Sequence, residues 1–382
     1  MKDLYSRFLS ARPGRLHFAA HSHHPWPDVT REAQIAAWDD AARLADLKWE
    51  RVFSEVMPEA QAHIARVLDL SAPEQIAFAP NTHEFVSRIL SCLPPGRPWN
   101  IVTTDSEFMS LSRQLARLEE DGHARVVRVA TEPFDTFEAR FAEAASAPHN
   151  DLVFFSQVFF NSGVMVRDLA AIVHAAPAEA MVVIDGYHSF FAVPTRLKSV
   201  ADRAFFLAGG YKYAQSGEGV CFLAVPPGFD RRPLNTGWFA DFGHLADARS
   251  DRVGFSNDGF RFMGATFDPV GLYRWNAVAR VLDARGISVE SIHAHVRALQ
   301  GFFLDKLTRT PRAPFSATDL IQPASGLDGL GHFLTFRRTD AGALAGALAA
   351  RNVIVDHRAD RLRFGFGAYQ DTADIEALIP LL

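Results

Sequence analysis

Short apolar runs alternating with stretches of helical periodicity constrain this chain more than any other feature. The runs are IAFA (76–79), NIVT (100–103), RVVRVA (125–130), LVFFS (152–156), MVVID (181–185) and AFFLAG (204–209). Parallel strands covered by helices on both faces read as near-continuous hydrophobic segments, and consecutive parallel strands need a crossover between them. Residues 71–225 are therefore predicted to form a doubly wound, mostly parallel α/β sheet. One step departs from this pattern. In AFFLAGGYKYAQSGEGVCFLAV (204–225) only a short Gly-rich loop separates two apolar runs, too little chain for a crossover, so the second strand is predicted antiparallel.

Outside that region the patterns change. Residues 28–70 read as helices, with Trp38, Ala41, Leu44 and Ala45 at helical spacing, then Val56, Ala60, Ile64 and Val67. Residues 226–268, rich in Gly, Pro, Asp and Phe, read as an irregular connector or interface segment. A helical pattern at 287–309, strands at 331–336, 353–358 and 361–366, and a helix from near Asp371 predict a smaller α+β carboxyl-terminal domain. At 382 residues and 48% hydrophobic, the chain can bury a large core. With 39 Lys+Arg against 44 Asp+Glu and no basic run, it lacks the footprint of a nucleic-acid or anionic-membrane binder. Cys92 and Cys221 are too few for a disulfide framework and sit in apolar runs, which points to reduced, packed thiols and a cytoplasmic protein. The amino-terminal residues have no apolar secretion-signal core, and nowhere do 18 uncharged apolar residues run together. Chemistry on a small molecule is what remains.

In an open α/β sheet, ligands bind beyond the carboxyl ends of the strands. Asn81 and Thr82 follow the first strand and open a helix; Glu107 and Phe108 follow the second; Asp185 and His188 follow VVID; Tyr211 and Lys212 follow FFLAGG. A helix amino terminus offers unpaired N–H groups and a dipole that favour an anion such as phosphate, although Asn81 also suits a plain N-cap. Asp185 either caps its turn or holds a cation. Lys212 stands among Gly209, Gly210, Tyr211, Tyr213, Ser216, Gly217 and Gly219, a tight polar-aromatic loop where solubility does not explain an ammonium. An anion cradle, a carboxylate and a buried lysine at one sheet edge suit pyridoxal 5'-phosphate. The helix terminus takes the phosphate, the aspartate keeps the pyridine nitrogen protonated, and the lysine condenses with the aldehyde. His188 then either hydrogen-bonds the carboxylate or lies against the ring, or is simply a turn residue.

These segments resemble the fold type I pyridoxal-phosphate enzymes of the class V aminotransferase group, and within it the kynureninases. VVIDGYHSFF (182–191) looks like the family's Asp-x-x-His segment, and AGGYKYAQSGEGVCFL (208–223) like its Tyr-Lys-Tyr cofactor loop. NTHEF (81–85) resembles the phosphate-binding turn, and SEFMS (106–110) the segment whose Phe, here Phe108, stacks on the ring. NTGWFADFG (235–243) and RFMGATFDP (261–269) are similar to segments that reach the neighbouring subunit's phosphate region, which makes Trp238 and Thr266 cofactor-binding candidates and implies a homodimer. VIVDHRADRLRFGFGAYQDTADI (353–375) looks much like the kynureninase carboxyl terminus, where Arg363 matches the arginine that clamps the substrate α-carboxylate.

The resemblance implies a large cofactor-binding domain over 51–254, and a small domain with an amino-terminal segment over 255–382 and 1–50. It also implies Lys212, Tyr211 and Asp185 as catalytic residues, an amino acid substrate and no metal. Three positions depart from the kynureninase pattern: Phe160 where relatives often carry a polar residue, Leu111 where an aspartate is more usual, and FAAHSHHPWP (18–27) near the substrate side chain.

Other readings compete less well. His21 and His23 imitate the His-x-His of metal-dependent barrel hydrolases, but that site needs further histidines and an aspartate at later strand ends, whereas His174 falls mid-helix and most other histidines lie on helical or irregular stretches. Cysteine desulfurases share the fold but need a nucleophilic cysteine in the last third, and none follows Cys221. A non-enzymatic regulator would have lost catalytic groups that are present here. Hydrolytic Cβ–Cγ cleavage of kynurenine or a related amino acid is the expected reaction, and the resemblance implies Tyr211 as acid or base near the γ-carbonyl, with a simple phosphate hydrogen bond as its alternative role. Transfer of the amino group to a 2-oxo acid is the alternative.

Overall fold

The structure is a computed structural model that describes residues 1–244 and 251–382. Along the chain the first strands are Leu16–His17 (β1), Ile76–Ala79 (β2), Trp99–Thr104 (β3), Ala124–Val129 (β4), Leu152–Ser156 (β5), Met181–Asp185 (β6), Ala204–Gly209 (β7) and Cys221–Ala224 (β8). All but β1 make one seven-stranded sheet in the order β2-β8-β7-β6-β5-β3-β4. The pairs from β4 through β7 are parallel, while β8 runs antiparallel to both β7 and β2. The loop too short for a crossover thus turns the chain back, as its length requires. Strands β2, β5, β7 and β8 are buried at every position because helices cover both faces. The edge strand β4 is buried only at Ala124 and carries the exposed Arg125 and Arg128, which blunt it against pairing with another chain.

The remaining strands are Phe333–Arg337 (β9), Val353–Ile354 (β10), Asp356–Arg358 (β11) and Arg361–Gly365 (β12). The last two form a hairpin that adds to β9, giving an antiparallel sheet ordered β11-β12-β9. Helix Val289–Thr308, opened by a Ser288 capping box, packs its Val296, Leu299 and Phe303 inward. The apolar run predicted at 353–358 is divided: β10 leaves the hairpin and pairs in parallel with β1, fastening the amino-terminal segment to the carboxyl-terminal part.

Helices Val29–Leu44 and Met57–Leu68 form where the periodicity places them. The first does not bury the expected face. Trp38 is 70% exposed, and the inward positions are Thr30, Ala33, Ala37 and Asp40. The reason is an ionic and hydroxyl contact: the Asp40 carboxylate accepts hydrogen bonds from Arg43, Arg51 and Tyr273, which turns that stripe towards helix Val270–Ala284. The irregular segment at 226–268 contains only 3₁₀ turns among its described residues; its 245–250 portion lies outside them.

The core centres on the large sheet. Phe205 on β7, 1% exposed, meets Phe229 at 4.9 Å and Phe262 at 5.5 Å between ring centroids. Replacing it with alanine leaves a cavity between sheet and connector, so Phe205→Ala is expected to cost about 3–5 kcal/mol in urea unfolding. A loss under about 1 kcal/mol would mean that the connector is not part of the cooperative core.

Candidate functional site

The carboxyl ends of β2, β3, β5, β6 and β7 open on a cavity of about 270 Å³. Its wall includes Asn81, Thr82, Phe108, Ser156, Asp185, Tyr187, His188, Tyr211, Lys212 and Cys221. Seven of the sequence-predicted residues therefore meet there: Asn81, Thr82, Phe108, Asp185, His188, Tyr211 and Lys212. Lys212 is the one lysine or arginine among the described residues that line it.

Each is placed by local structure. Asn81, extended, caps helix Thr82–Leu90 by accepting from the Glu84 amide at 3.1 Å, which points that helix terminus at the cavity. Asp185 is the last residue of β6, and its Oδ1 accepts from the Tyr187 amide at 2.8 Å; the capping role and the cavity position coexist. Lys212 sits in the turn after β7. That loop is closed by Gly210 N donating to Val220 O at 2.8 Å and braced by Arg274, whose Nε donates to Ser216 O at 2.6 Å. Gly209 is required by close approach: a β-carbon there would collide with the Tyr187 hydroxyl and the Cys221 thiol.

Lys212 Nζ, 6% exposed as a residue, hydrogen-bonds His188 Nε2 at 2.8 Å and lies 4.8 Å from the Tyr187 ring centre and 5.5 Å from that of Phe108. Burial pushes the lysine ammonium down to about 7 and pushes the Asp185 carboxyl up; the attraction between the two works against both shifts. Burial and the neighbouring Lys212 charge keep His188 neutral. Burial raises the Tyr211 phenol to about 12, so it remains a hydrogen-bond donor at neutral pH.

Other predicted residues lie apart. Arg363, on β12, is buried behind Phe160 rather than on the cavity wall. Its guanidinium donates to the Phe160 carbonyl and to Asp356, its register partner on β11. Phe160 and Leu111 do reach the wall, and Phe160 stands edge-on to Phe108 at 5.7 Å. Trp238 is 45% exposed and Thr266 is exposed, both on the surface of this chain and off the cavity wall.

None of the amino-terminal histidines lines the cavity. His21 is buried and stacks on Phe333 at 4.7 Å, His23 stacks on Tyr211 at 5.1 Å, and His24 packs edge-on to Tyr369 at 4.9 Å. Among the described residues no three His, Cys, Asp or Glu side chains converge as metal ligands. Sequence reasoning missed Ser156, Tyr187 and Cys221. The strand-end rule marks Ser156, which closes LVFFS, and Tyr187, two residues past Asp185.

The family model for "Aminotransferase class-V" matches residues 43–378. Isopenicillin N epimerase of Streptomyces clavuligerus is 26% identical over 211 residues, 53% of this chain and 52% of that protein. The chain thus matches about half the length of that relative. Among solved structures, the cystine C-S lyase C-DES, in complex with its product cysteine persulfide, superposes with a TM-score of 0.82 at 17% identity, covering 97% of this chain and 98% of that one. Another C-DES structure has glycine covalently linked to the PLP cofactor. Cysteine desulfurase from Thermococcus onnurineus NA1 gives 0.78 at 17% identity, covering 99% and 96%. At these identities the superpositions establish the fold.

The residues present suit pyridoxal 5'-phosphate. A buried amine pushed down to about 7 is ready to condense with a carbonyl, and the same cavity presents a carboxylate and a helix amino terminus. On the family match and this fold, the chain belongs to the class V aminotransferase family, the fold type I enzymes that depend on pyridoxal 5'-phosphate.

Proposed function

We propose that this protein acts on an α-amino acid by kynureninase-like hydrolytic cleavage between the β and γ carbons, on kynurenine or a related substrate. One observation carries the assignment of the site: an amine of lowered basicity, Lys212, lies in a single cavity with Asp185 and the amino terminus of helix Thr82–Leu90. When bound, pyridoxal phosphate supplies an electron sink for the substrate α-carbon. Asn81 and Thr82 would hold its phosphate, Asp185 would hold the proton of its ring nitrogen, and Phe108 and His188 would lie against its ring. Lys212 holds the cofactor and then moves the proton at the α-carbon. Tyr211, protonated at neutral pH, donates to the side-chain carbonyl.

Arg363 would receive the α-carboxylate once Phe160, which screens it from the cavity, gives way. Its guanidinium is fixed by Asp356, so the incoming carboxylate competes for the face that holds the Phe160 carbonyl. The apolar wall of Phe108, Leu111 and Phe160 favours an apolar or aromatic substrate side chain. The carboxyl-terminal resemblance over 353–375 favours hydrolysis over amino transfer. Sulfur transfer through a chain cysteine is disfavoured, because burial raises Cys92 and Cys221 to about 12 and neither thiol is a ready nucleophile.

The same resemblance supports a homodimer, with Trp238 and Thr266 completing the neighbouring subunit's phosphate site, and the division into 51–254 and the two flanking parts; the two buried, unpaired cysteines support a cytoplasmic location. No helix among the described residues is long and apolar enough to cross a membrane.

Incubation with kynurenine, and separately with amino acid and 2-oxo acid pairs, decides the reaction. Anthranilate release is expected; exchange of amino groups in its place selects the aminotransferase alternative, and neither product removes both. Lys212→Ala should abolish turnover and the visible absorbance of the purified protein, and a variant that stays yellow contradicts the role of this lysine. Arg363→Ala should raise KM at least about tenfold, the loss of one charge-assisted pair, while unchanged KM and kcat refute the clamp.

A further inference from the structure

Glu107 follows β3 and immediately precedes Phe108. It is 5% exposed. Three donors meet its carboxyl group: Thr104 Oγ1 at 2.7 Å and the Ser156 amide at 3.0 Å on Oε1, and Ser156 Oγ at 2.6 Å on Oε2. Two hydroxyls and an amide would hold a glutamine as well, so the clamp alone does not explain a buried acid.

The other side of Ser156 supplies the explanation. Ser156 ends β5 and is the register partner of Asp185 at the end of β6, so both side chains leave the sheet on one face, and both line the cavity. Because β5 lies between β3 and β6, Ser156 sits on the strand between the one that Glu107 follows and the one that Asp185 ends, with its hydroxyl on Glu107. When Glu107 is ionised, that hydroxyl points its hydrogen at Glu107. When Glu107 is protonated, its own O–H donates to Ser156 Oγ, and the serine hydrogen turns towards the cavity and Asp185.

We propose that Glu107 is a positioning residue for Asp185, acting through the Ser156 hydroxyl to set how strongly the aspartate holds the proton of the cofactor's ring nitrogen. This rests on the reading above, in which Asp185 meets that nitrogen. Burial, helped by the charge of Asp185 and opposed by the three hydrogen bonds, pushes Glu107 up to about 7, so both of its states are reached in the working range.

The test uses the holoenzyme and three variants. Glu107→Gln imitates the neutral acid, because its amide donates to Ser156 Oγ and its carbonyl accepts from Thr104 and the Ser156 amide. Ser156→Ala cuts the connection while leaving Glu107 in place, and serves also if the first variant does not accumulate. The readouts are the pH midpoint of the bound cofactor's visible band, kcat and KM.

Removing a negative charge near a protonated ring lowers its affinity for the proton. Through the conjugated ring, Glu107→Gln is therefore expected to shift the midpoint by a few tenths to about one pH unit and to lower kcat several-fold, with KM within about twofold. Ser156→Ala should shift the midpoint too, and the double variant should shift it no further than the larger single change. A wild-type midpoint in both single variants, or fully additive shifts, overturns the proposal. Asp185→Asn separates the two levels: a wild-type midpoint there sinks the assignment of Asp185 itself. An altered midpoint or lost cofactor there, with wild-type behaviour in Glu107→Gln and Ser156→Ala, sinks only the role of Glu107.

Discussion

A buried lysine and a half-buried aspartate at the rim of one cavity set the terms for everything around them. Each loses most of its hydration, and burial alone would drive both towards their neutral forms. Their attraction opposes this without cancelling it, which leaves an amine of lowered basicity where a carbonyl can be captured. The architecture serves that pairing. Asp185 lies on a central strand of a sheet covered on both faces, and Lys212 lies in a loop pinned by its own closing hydrogen bond and by Arg274.

The large sheet was legible because strands covered on both faces must be apolar throughout, and this leaves short uncharged runs that helices separate. The reversal at β8 was legible for a different reason, the reach of a short loop. Less local features were not. The Trp38 face is a good helical stripe on paper, but Asp40 is drawn inward by Arg51 and Tyr273, and Tyr273 stands 233 residues away from it. The split of 353–358 depends in the same way on β1, more than three hundred residues upstream, offering an edge to Val353 and Ile354. Partners that distant leave no trace in a window of ten or fifteen residues.

The site divides along similar lines. Residues at strand ends fall together because the topology alone brings them there, which is why seven of them share one wall. Arg363 was legible as a residue but not in its surroundings. Its pairing with Asp356 comes from hairpin register, and its screen from the cavity comes from Phe160 on a separate part of the chain. Ser156 and Glu107 were overlooked as a pair because a serine and a glutamate 49 positions apart have meaning only once β3 and β5 are adjacent.

Charge placement around the cavity adds a constraint on how the phosphate is received. Lys212 is the one cation among the described lining residues and its amine is hydrogen-bonded to His188, so on the proposed reading the cofactor's phosphate end would meet the helix terminus at Asn81 and Thr82 and uncharged groups. A helix terminus is worth about 0.3–1 kcal/mol when exposed, and up to about 2 when partly buried, modest for a doubly charged group. Further donors are therefore wanted on that side. On the proposed reading they come from the segments bearing Trp238 and Thr266 in a second copy of the chain. Their exposure in the single chain fits this, since a tryptophan left 45% exposed gains by being covered. On that proposal, the weakness of the anion cradle and the exposed segments would share one cause, a site divided between two subunits in which assembly and cofactor binding would reinforce each other.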